Sequence, residues 1–235
     1  MKRLILYLTY TIIFVTILSC DNSNEVEKDK ISNEGVIEYN ITYPIKNYDQ
    51  TYEMFLPKVM TMTYKNNVYK NEVSTKIFSS IIISDCDNKR LTMLSNFANN
   101  KIYTILDFKE TKKMLNSYPK PDIIKTDYIE TIIDYNCKKY YGMYDNINNH
   151  DVELFESNEI PIKNSNWCNQ YSEIKGVLLA YEIEQFGMNM EFTASSIDKH
   201  KSVSNKVFEI PEDYKKVNLE RFLKEMESIF STILN

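Results

Sequence analysis

Apolar and polar residues alternate with period two along much of this chain, the pattern of strands with one buried face. In 36–43, Ile37, Tyr39, Ile41 and Tyr43 share one face, and Glu38, Asn40 and Thr42 share the other. Met60, Met62 and Tyr64 fall together in 59–64, and Asn66-Asn67 then offers the positive-φ tolerance of a tight hairpin turn. The returning strand is expected over 68–78, with Tyr69, Val73 and Ile77 in phase. Segments 80–84 and 91–94 form the next pair, joined by the turn-prone Asp85-Cys86-Asp87-Asn88, and 102–106 continues the series. In the second half, 129–134, 138–144 and 152–155 read as strands. Leu179, Tyr181 and Ile183 share one face of 177–184, as do Met188, Met190, Phe192 and Ala194 in 188–194, with Phe186-Gly187 as the turn between them. A last strand is expected at 207–210, ended by Pro211, which cannot donate a ladder bond.

Helical periodicity is confined to two places. Residues 108–117 read as a short charged helix stopped by Tyr118-Pro119 and Pro121. Leu219, Phe222, Leu223, Met226, Ile229, Phe230 and Ile233 form one stripe, so 218–233 is expected to be amphipathic, with Asn218 as its N-cap. That stripe suits a cover for one end of a sheet; a helix that plugs a groove or docks on a partner or membrane carries the same pattern. About ten strands and one or two helices predict a mainly β (α+β) fold built on a strongly curved antiparallel sheet. Such a sheet either closes or has its apolar concave face covered by helix.

The N-terminus departs from this pattern. Lys2 and Arg3 precede an apolar run at 4–18, shorter than the ~20 residues a spanning helix needs. A positive start, a short apolar run and a small residue before the cut mark a signal peptide. Ile17-Leu18-Ser19-Cys20 looks like a bacterial lipobox. Residues 1–19 are then expected to be removed and Cys20 to become the lipidated first residue; an uncleaved anchor or a buried helix is the alternative. One acyl chain binds membranes only marginally, and bacterial lipoprotein modification supplies diacylglycerol on the thiol and often a third chain, such as palmitate, on the new amine.

In 21–34 only Val26 and Ile31 are apolar, too few to offset the entropy of ordering. Residues 20–34 therefore read as the lipidated cysteine plus a flexible tether, with a reach of roughly 20 Å. Residues 35–235 hold no Gly/Pro/Ser-rich linker and no repeat, and are expected to form one domain. These readings place the chain in the envelope of a Gram-negative bacterium, anchored by lipid at a membrane, expected to be the outer one. They do not choose between its periplasmic and external faces.

Loss of 1–19 leaves 26 basic against 33 acidic residues. An acidic chain without a long basic run is a poor match for nucleic acid, whose binding rests on phosphate neutralisation. Cys86, Cys137 and Cys168 permit at most one internal disulfide. Cys137 and Cys168 flank an expected strand pair and are the candidate bridge; three buried free thiols are the alternative. The Met60/Met62 and Met188/Met190 pairs offer soft ligands to Cu(I), ordinary core packing, or an adaptable apolar cavity. His150-Asp151-x-Glu153 has no second histidine at ligand spacing and reads as a surface loop, and Asp85-Cys86-Asp87 reads as a turn because flanking carboxylates suppress a thiolate. Four glycines make a phosphate cradle improbable, no Ser/His/Asp set is visible, and no cofactor is expected.

Several segments together resemble an uncharacterised family of bacterial lipoproteins. They are Gly35-Val36-Ile37-Glu38-Tyr39, the run 56–65, Tyr135-Asn136-Cys137-Lys138-Lys139, the run 174–182, Gly187-Met188-Asn189-Met190 and the run 208–215. The third looks like the family's Gly-Tyr-x-Cys-Lys-Lys element, with Asp134 in place of the glycine. The resemblance stops at residue 215. It implies a domain similar to the Lol-type lipoprotein-carrier fold, an open half-barrel with helices across its concave side. It implies a hydrophobic cavity and no reaction. The expected lining is Ile37, Tyr39, Ile41, Tyr43, Met60, Met62, Tyr64, Leu179, Tyr181, Ile183, Met188, Met190 and Phe192. The expected function is non-enzymatic binding of an acyl chain or other hydrophobic ligand, a lipid or a lipoprotein; the alternative is an envelope structural or protein-interaction lipoprotein with a packed core.

Overall fold

The computed structural model describes residues 32–44, 56–145 and 151–234. The expected signal peptide, Cys20, most of the expected tether and His150 lie outside them. Twelve strands are found among the described residues: β1 (Glu34–Thr42), β2 (Val59–Lys65), β3 (Val68–Ser74), β4 (Phe78–Asp85), β5 (Arg90–Phe97), β6 (Asn100–Leu106), β7 (Asp122–Ile132), β8 (Tyr135–Met143), β9 (Val152–Ser157), β10 (Val177–Gln185), β11 (Met188–Asp198) and β12 (Lys215–Lys216). They form one sheet in the order β12-β6-β5-β4-β3-β2-β1-β11-β10-β9-β8-β7. Every pairing is antiparallel except that of β12 with β6. The order amounts to two meanders, β1–β6 and β7–β11, joined where β1 pairs with β11.

Local chemistry sets the meanders. Three hairpins turn on two residues of positive φ, Ala98-Asn99, Ile133-Asp134 and Phe186-Gly187, the backbone that matches strand twist. The β2–β3 turn at Asn66-Asn67 has Asn66 at φ 53°. Two helices accompany the sheet, α1 (Phe108–Leu115) and α2 (Leu219–Leu234). Helix α1 starts with a capping box, in which Asp107 Oδ1 accepts the Glu110 N–H at 2.8 Å and Glu110 Oε2 accepts the Asp107 N–H at 3.0 Å. For α2, Asn218 Oδ1 accepts the Arg221 N–H at 2.9 Å, the N-cap role expected of it.

Three sequence expectations need correction. The strand over 68–78 is two strands, because Thr75 Oγ1 accepts the Phe78 N–H at 3.2 Å and folds the chain back; Ile77 is left exposed, not in phase with Tyr69. The strand over 129–134 starts earlier, at Asp122, and Ile133 and Asp134 are its turn. The strand at 207–210 is instead a 3-10 turn, Asn205–Phe208, capped by Ser204.

The sheet is open and strongly curved. Phe230 of α2 meets Phe78 of β4 edge-on at 5.7 Å and stacks on Phe186 of the β10–β11 turn at 4.8 Å. In the sheet β3, β2 and β1 lie between the β4 strand of Phe78 and the β10–β11 hairpin whose turn holds Phe186, so only curvature brings both to one side chain. The segment 158–176, between β9 and β10, makes a second span of the same kind. Within it Trp167 Nε1 donates to Ser84 Oγ on β4 at 2.8 Å, and the Ser165 carbonyl accepts the Tyr69 hydroxyl of β3 at 2.8 Å.

Both edges of the sheet are guarded. β12 covers β6, and on β7 the register with β8 slips between Lys125 and Ile129. That bulge, held by Thr126 Oγ1 donating to the Lys139 carbonyl at 2.8 Å, interrupts the flat row of free backbone groups that invites strand addition. No helix among the described residues is long and apolar enough to cross a membrane.

Candidate functional site

All thirteen expected lining residues come together in one apolar cluster. Alternation explains this: Gly35, Ile37, Tyr39 and Ile41 of β1 face inward, in register with Tyr64, Met62 and Met60 of β2 and with Phe192 and Ala194 of β11. Ile37 and Leu179 are 0% exposed, and Tyr39, Tyr64 and Met188 only 1%. At Gly35 a Cβ would lie 2.7 Å from both the Tyr64 hydroxyl and the Asp198 carbonyl, so the smallest residue lets Tyr64 reach across β1.

The same cluster contains Phe222, Met226, Ile229 and Phe230 of α2, together with Ile160, Ile162 and Trp167 of segment 158–176. The lining residues therefore pack against cover from two other parts of the chain. Their polar atoms are partnered too. The Tyr39 hydroxyl donates to the Leu178 carbonyl at 3.0 Å and lies 3.8 Å from the Met62 sulfur, and Tyr181 stacks on Phe192 at 4.9 Å. Burial pushes the Tyr39 phenol well above its ordinary range, with the neighbouring Tyr181 adding to the shift.

Sequence periodicity missed segment 158–176, which is neither strand nor regular helix. It supplies Ile160, Ile162 and Trp167 to the main core, and Tyr171 and Ile174 to a second cluster with Val152, Leu154 and Leu178. Its own backbone is satisfied from within: Asn166 Nδ2 donates to the Ile174 and Gly176 carbonyls at 3.0 and 2.8 Å, and Ser165 Oγ to Gly176 at 2.7 Å. The signal available was compositional, since Ile160-Pro161-Ile162, Trp167, Tyr171 and Ile174 are too apolar for a free loop.

An open recess of about 590 Å³ lies where the end of β1 meets β9, β10 and β11. Only Tyr181 and Phe192 of the thirteen expected residues line it; Pro44 and Phe155 add apolar surface, and Asp151, Glu153, Glu182 and Glu191 add four carboxylates. Glu182 and Glu191 face each other across the β10–β11 register, a like-charge pairing that ordinarily costs stability. Neutral donors hold them in place: Asn189 Nδ2 reaches Glu182 Oε1 at 2.8 Å, and Thr42 Oγ1 reaches Glu191 Oε2 at 2.8 Å. Glu153 lies 2.5 Å from Lys139 Nζ, and that contact raises the lysine's pKa.

The cysteines do not pair as expected. Cys137 and Cys168 are free thiols; the Cys137 sulfur lies 3.5 Å from the Tyr135 carbonyl, while Cys168 sits beside Tyr69 and Ser84. Burial pushes the Cys86 thiol up to about 12 and Cys137 to about 11, which makes both poor nucleophiles at neutral pH. Asp85 closes the turn before Cys86 by accepting the Asp87 and Asn88 N–H groups at 3.1 and 2.9 Å. His200 lies in the turn after β11, its N–H donating to Asp198 Oδ1 at 3.0 Å. The Met60 sulfur lies 4.0 Å from the Tyr181 hydroxyl, so Met60 and Met62 each face a tyrosine in the core.

No protein-family model and no curated protein matches this sequence. Solved structures similar to it include PNGF-II in a C2 crystal form, with a TM-score of 0.54 and 15% identity over 83% of this chain and 32% of that one. PNGF-II in a P21 form gives 0.55 and 13% identity over 84% of this chain and 34% of that one. The chain thus spans about a third of the length of PNGF-II. At such identity the likeness is one of fold, an open β sheet. Neither comparison supports the lipoprotein resemblance.

Proposed function

We propose that this chain is a lipid-anchored envelope protein that works by binding a protein partner, its half-barrel filled by its own α2 and segment 158–176. One observation carries the reading: the face expected to hold a hydrophobic ligand is packed with side chains from those two elements. The packing favours the interaction-protein alternative over acyl-chain binding, because an acyl chain would have to displace Phe230, Met226 and Trp167 from the core. The recess on β9–β11 is the docking place in this reading. The acidic residues along it, Asp151, Glu153, Glu182 and Glu191, and the aromatic Phe155, Tyr181 and Phe192 suit a segment rich in lysine or arginine that also carries an aromatic side chain, through charge and cation–π attraction.

The lipid on Cys20 confines this module to within one tether length of a membrane. Cys20→Ser is expected to move the protein from the membrane to the soluble fraction; unaltered membrane retention refutes the anchor. For the recess, a Lys/Arg-rich peptide containing tyrosine is titrated against the full chain in detergent. Affinity is expected to fall with salt, and to fall at least tenfold in Glu153→Lys and Glu191→Lys. Binding indifferent to both substitutions refutes the recess. Native mass spectrometry tests the core: a stoichiometric co-purified lipid would overturn the filled half-barrel and restore the acyl-binding reading.

A further inference from the structure

We infer that Cys86 and Cys168 form the redox-active pair of this chain and join in a disulfide that fastens segment 158–176 to the β4–β5 turn. Their two sulfurs flank one hydroxyl. Ser84 Oγ lies 3.7 Å from Cys86 Sγ and 3.7 Å from Cys168 Sγ, so the sulfurs are no further apart than twice that distance. The turn of one and the loop of the other are tied to the same residue as well. The Asn67 carbonyl accepts the Cys86 N–H at 3.0 Å, and Asn67 Oδ1 accepts the Lys163 N–H at 2.8 Å. Trp167, the neighbour of Cys168, donates from Nε1 to Ser84 Oγ at 2.8 Å. The turn that carries Cys86 and the loop that carries Cys168 are thus already docked against each other, with both sulfurs around the Ser84 hydroxyl.

The chemistry is thiol–disulfide exchange with a disulfide donor, a small-molecule or protein disulfide of the kind found in oxidising compartments. Cys168 is only partly buried while Cys86 is 2% exposed, which sets the order. The Cys168 thiol loses its proton to solvent and attacks one donor sulfur, releasing the first donor thiolate. The Cys86 thiol then loses its proton and attacks Sγ of Cys168, releasing the second. Two protein thiols and one donor disulfide become one protein disulfide and two donor thiols, and the two electrons pass from the cysteines to the donor. Burial raises the pKa of both thiols, which slows this exchange. It also makes each sulfur a poor leaving group, so the bridge resists reduction once formed. Cys137 takes no part, because it lies at the β7–β8 hairpin beside Tyr135.

The test uses the full chain in detergent, reduced and then incubated with oxidised glutathione, followed by alkylation under denaturing conditions and peptide mapping. The expected result is a linked peptide joining Cys86 to Cys168, with Cys137 alkylated. The link should vanish in Cys86→Ser and Cys168→Ser and persist in Cys137→Ser. The oxidised chain should melt roughly 5 °C or more above the reduced one. Alkylation of all three cysteines, stable glutathione adducts on Cys86 and Cys168 without a link, or a bridge from Cys137 each overturns the assignment. The native fold of a variant is checked by circular dichroism, and the wild-type peptide map decides on its own if a variant fails to fold.

Discussion

β1 and β7 are similar in length and in apolar content, and they meet opposite fates. β1 is flanked by β2 and β11 and buries Ile37, Tyr39 and Ile41 to between 0 and 5% exposure. β7 pairs on one side only, and Ile124, Tyr128 and Ile129 stay 46, 56 and 58% exposed. The difference lies in what covers them. α2 and segment 158–176 close over the face of the central strands, whereas the sequence between β6 and β7 provides α1, which packs near β5 and β6. An apolar strand is therefore core only where the chain returns to cover it. The bulge at Thr126–Tyr128 follows from this, since an exposed apolar edge must be broken to stay unpaired.

The largest expected effect separates the two regions. Phe230→Ala removes a ring that touches Phe78 and Phe186, and should cost about 3–5 kcal/mol in urea unfolding. Tyr128→Ala on β7 should change stability by no more than about 0.5 kcal/mol; comparable losses at both sites would break the comparison. Glu156 lies between the regions. It is 3% exposed and accepts the Tyr140 hydroxyl and the Gly176 N–H, both at 2.6 Å. Glu156→Ala strands the Gly176 donor, and should cost about 1–3 kcal/mol and loosen β8 and segment 158–176 together in hydrogen exchange.

A pH titration sharpens the contrast further. In the core, burial holds Cys86 and Tyr64 protonated up to about 12, against ordinary values of 9.0 and 10.0. Groups raised in the folded state contribute fully below their unfolded pKa, and lose that contribution as pH rises toward the folded one. Stability should therefore fall between about pH 9 and 12, with β1–β6 losing near-ultraviolet signal before any change in β7. A modest gain belongs to the β7–β8 turn, where Ile133 sits at φ 46°. A β-branched residue there is strained, so Ile133→Asn should stabilise by about 0.5–1 kcal/mol, measured as a raised urea midpoint.

Much of this was legible along the chain. The inward face of β1, β2, β10 and β11 follows from alternation, because a pleated strand sends successive side chains to opposite faces. The Phe186-Gly187 turn and the Asn218 cap were legible because positive φ and N-cap geometry select few residue types. The breaks at Thr75 and Ile133 were not, since threonine and isoleucine are ordinary strand residues and nothing in a β-branched run announces a reversal. Segment 158–176 was invisible to periodicity because its anchors satisfy no repeat. The recess on β9–β11 was half legible: Tyr181 and Phe192 were expected at a cavity, and the hairpin that sets Glu182 opposite Glu191 was expected too, but Asp151 and Glu153 come with β9, whose adjacency to β10 only the sheet order defines.

The sequence alone determined which residues face the core and where the β2–β3, β4–β5 and β10–β11 hairpins turn, because both follow from neighbours one to four residues apart. Tertiary structure decided whether that face would be hollow or filled, which cysteines would be neighbours, and which apolar strand would stay bare. Those outcomes depend on where α2 and segment 158–176 dock. Docking is settled by contacts between residues eighty or more apart, as between Ser84 and Trp167 or Phe78 and Phe230, and no local pattern encodes such a pair.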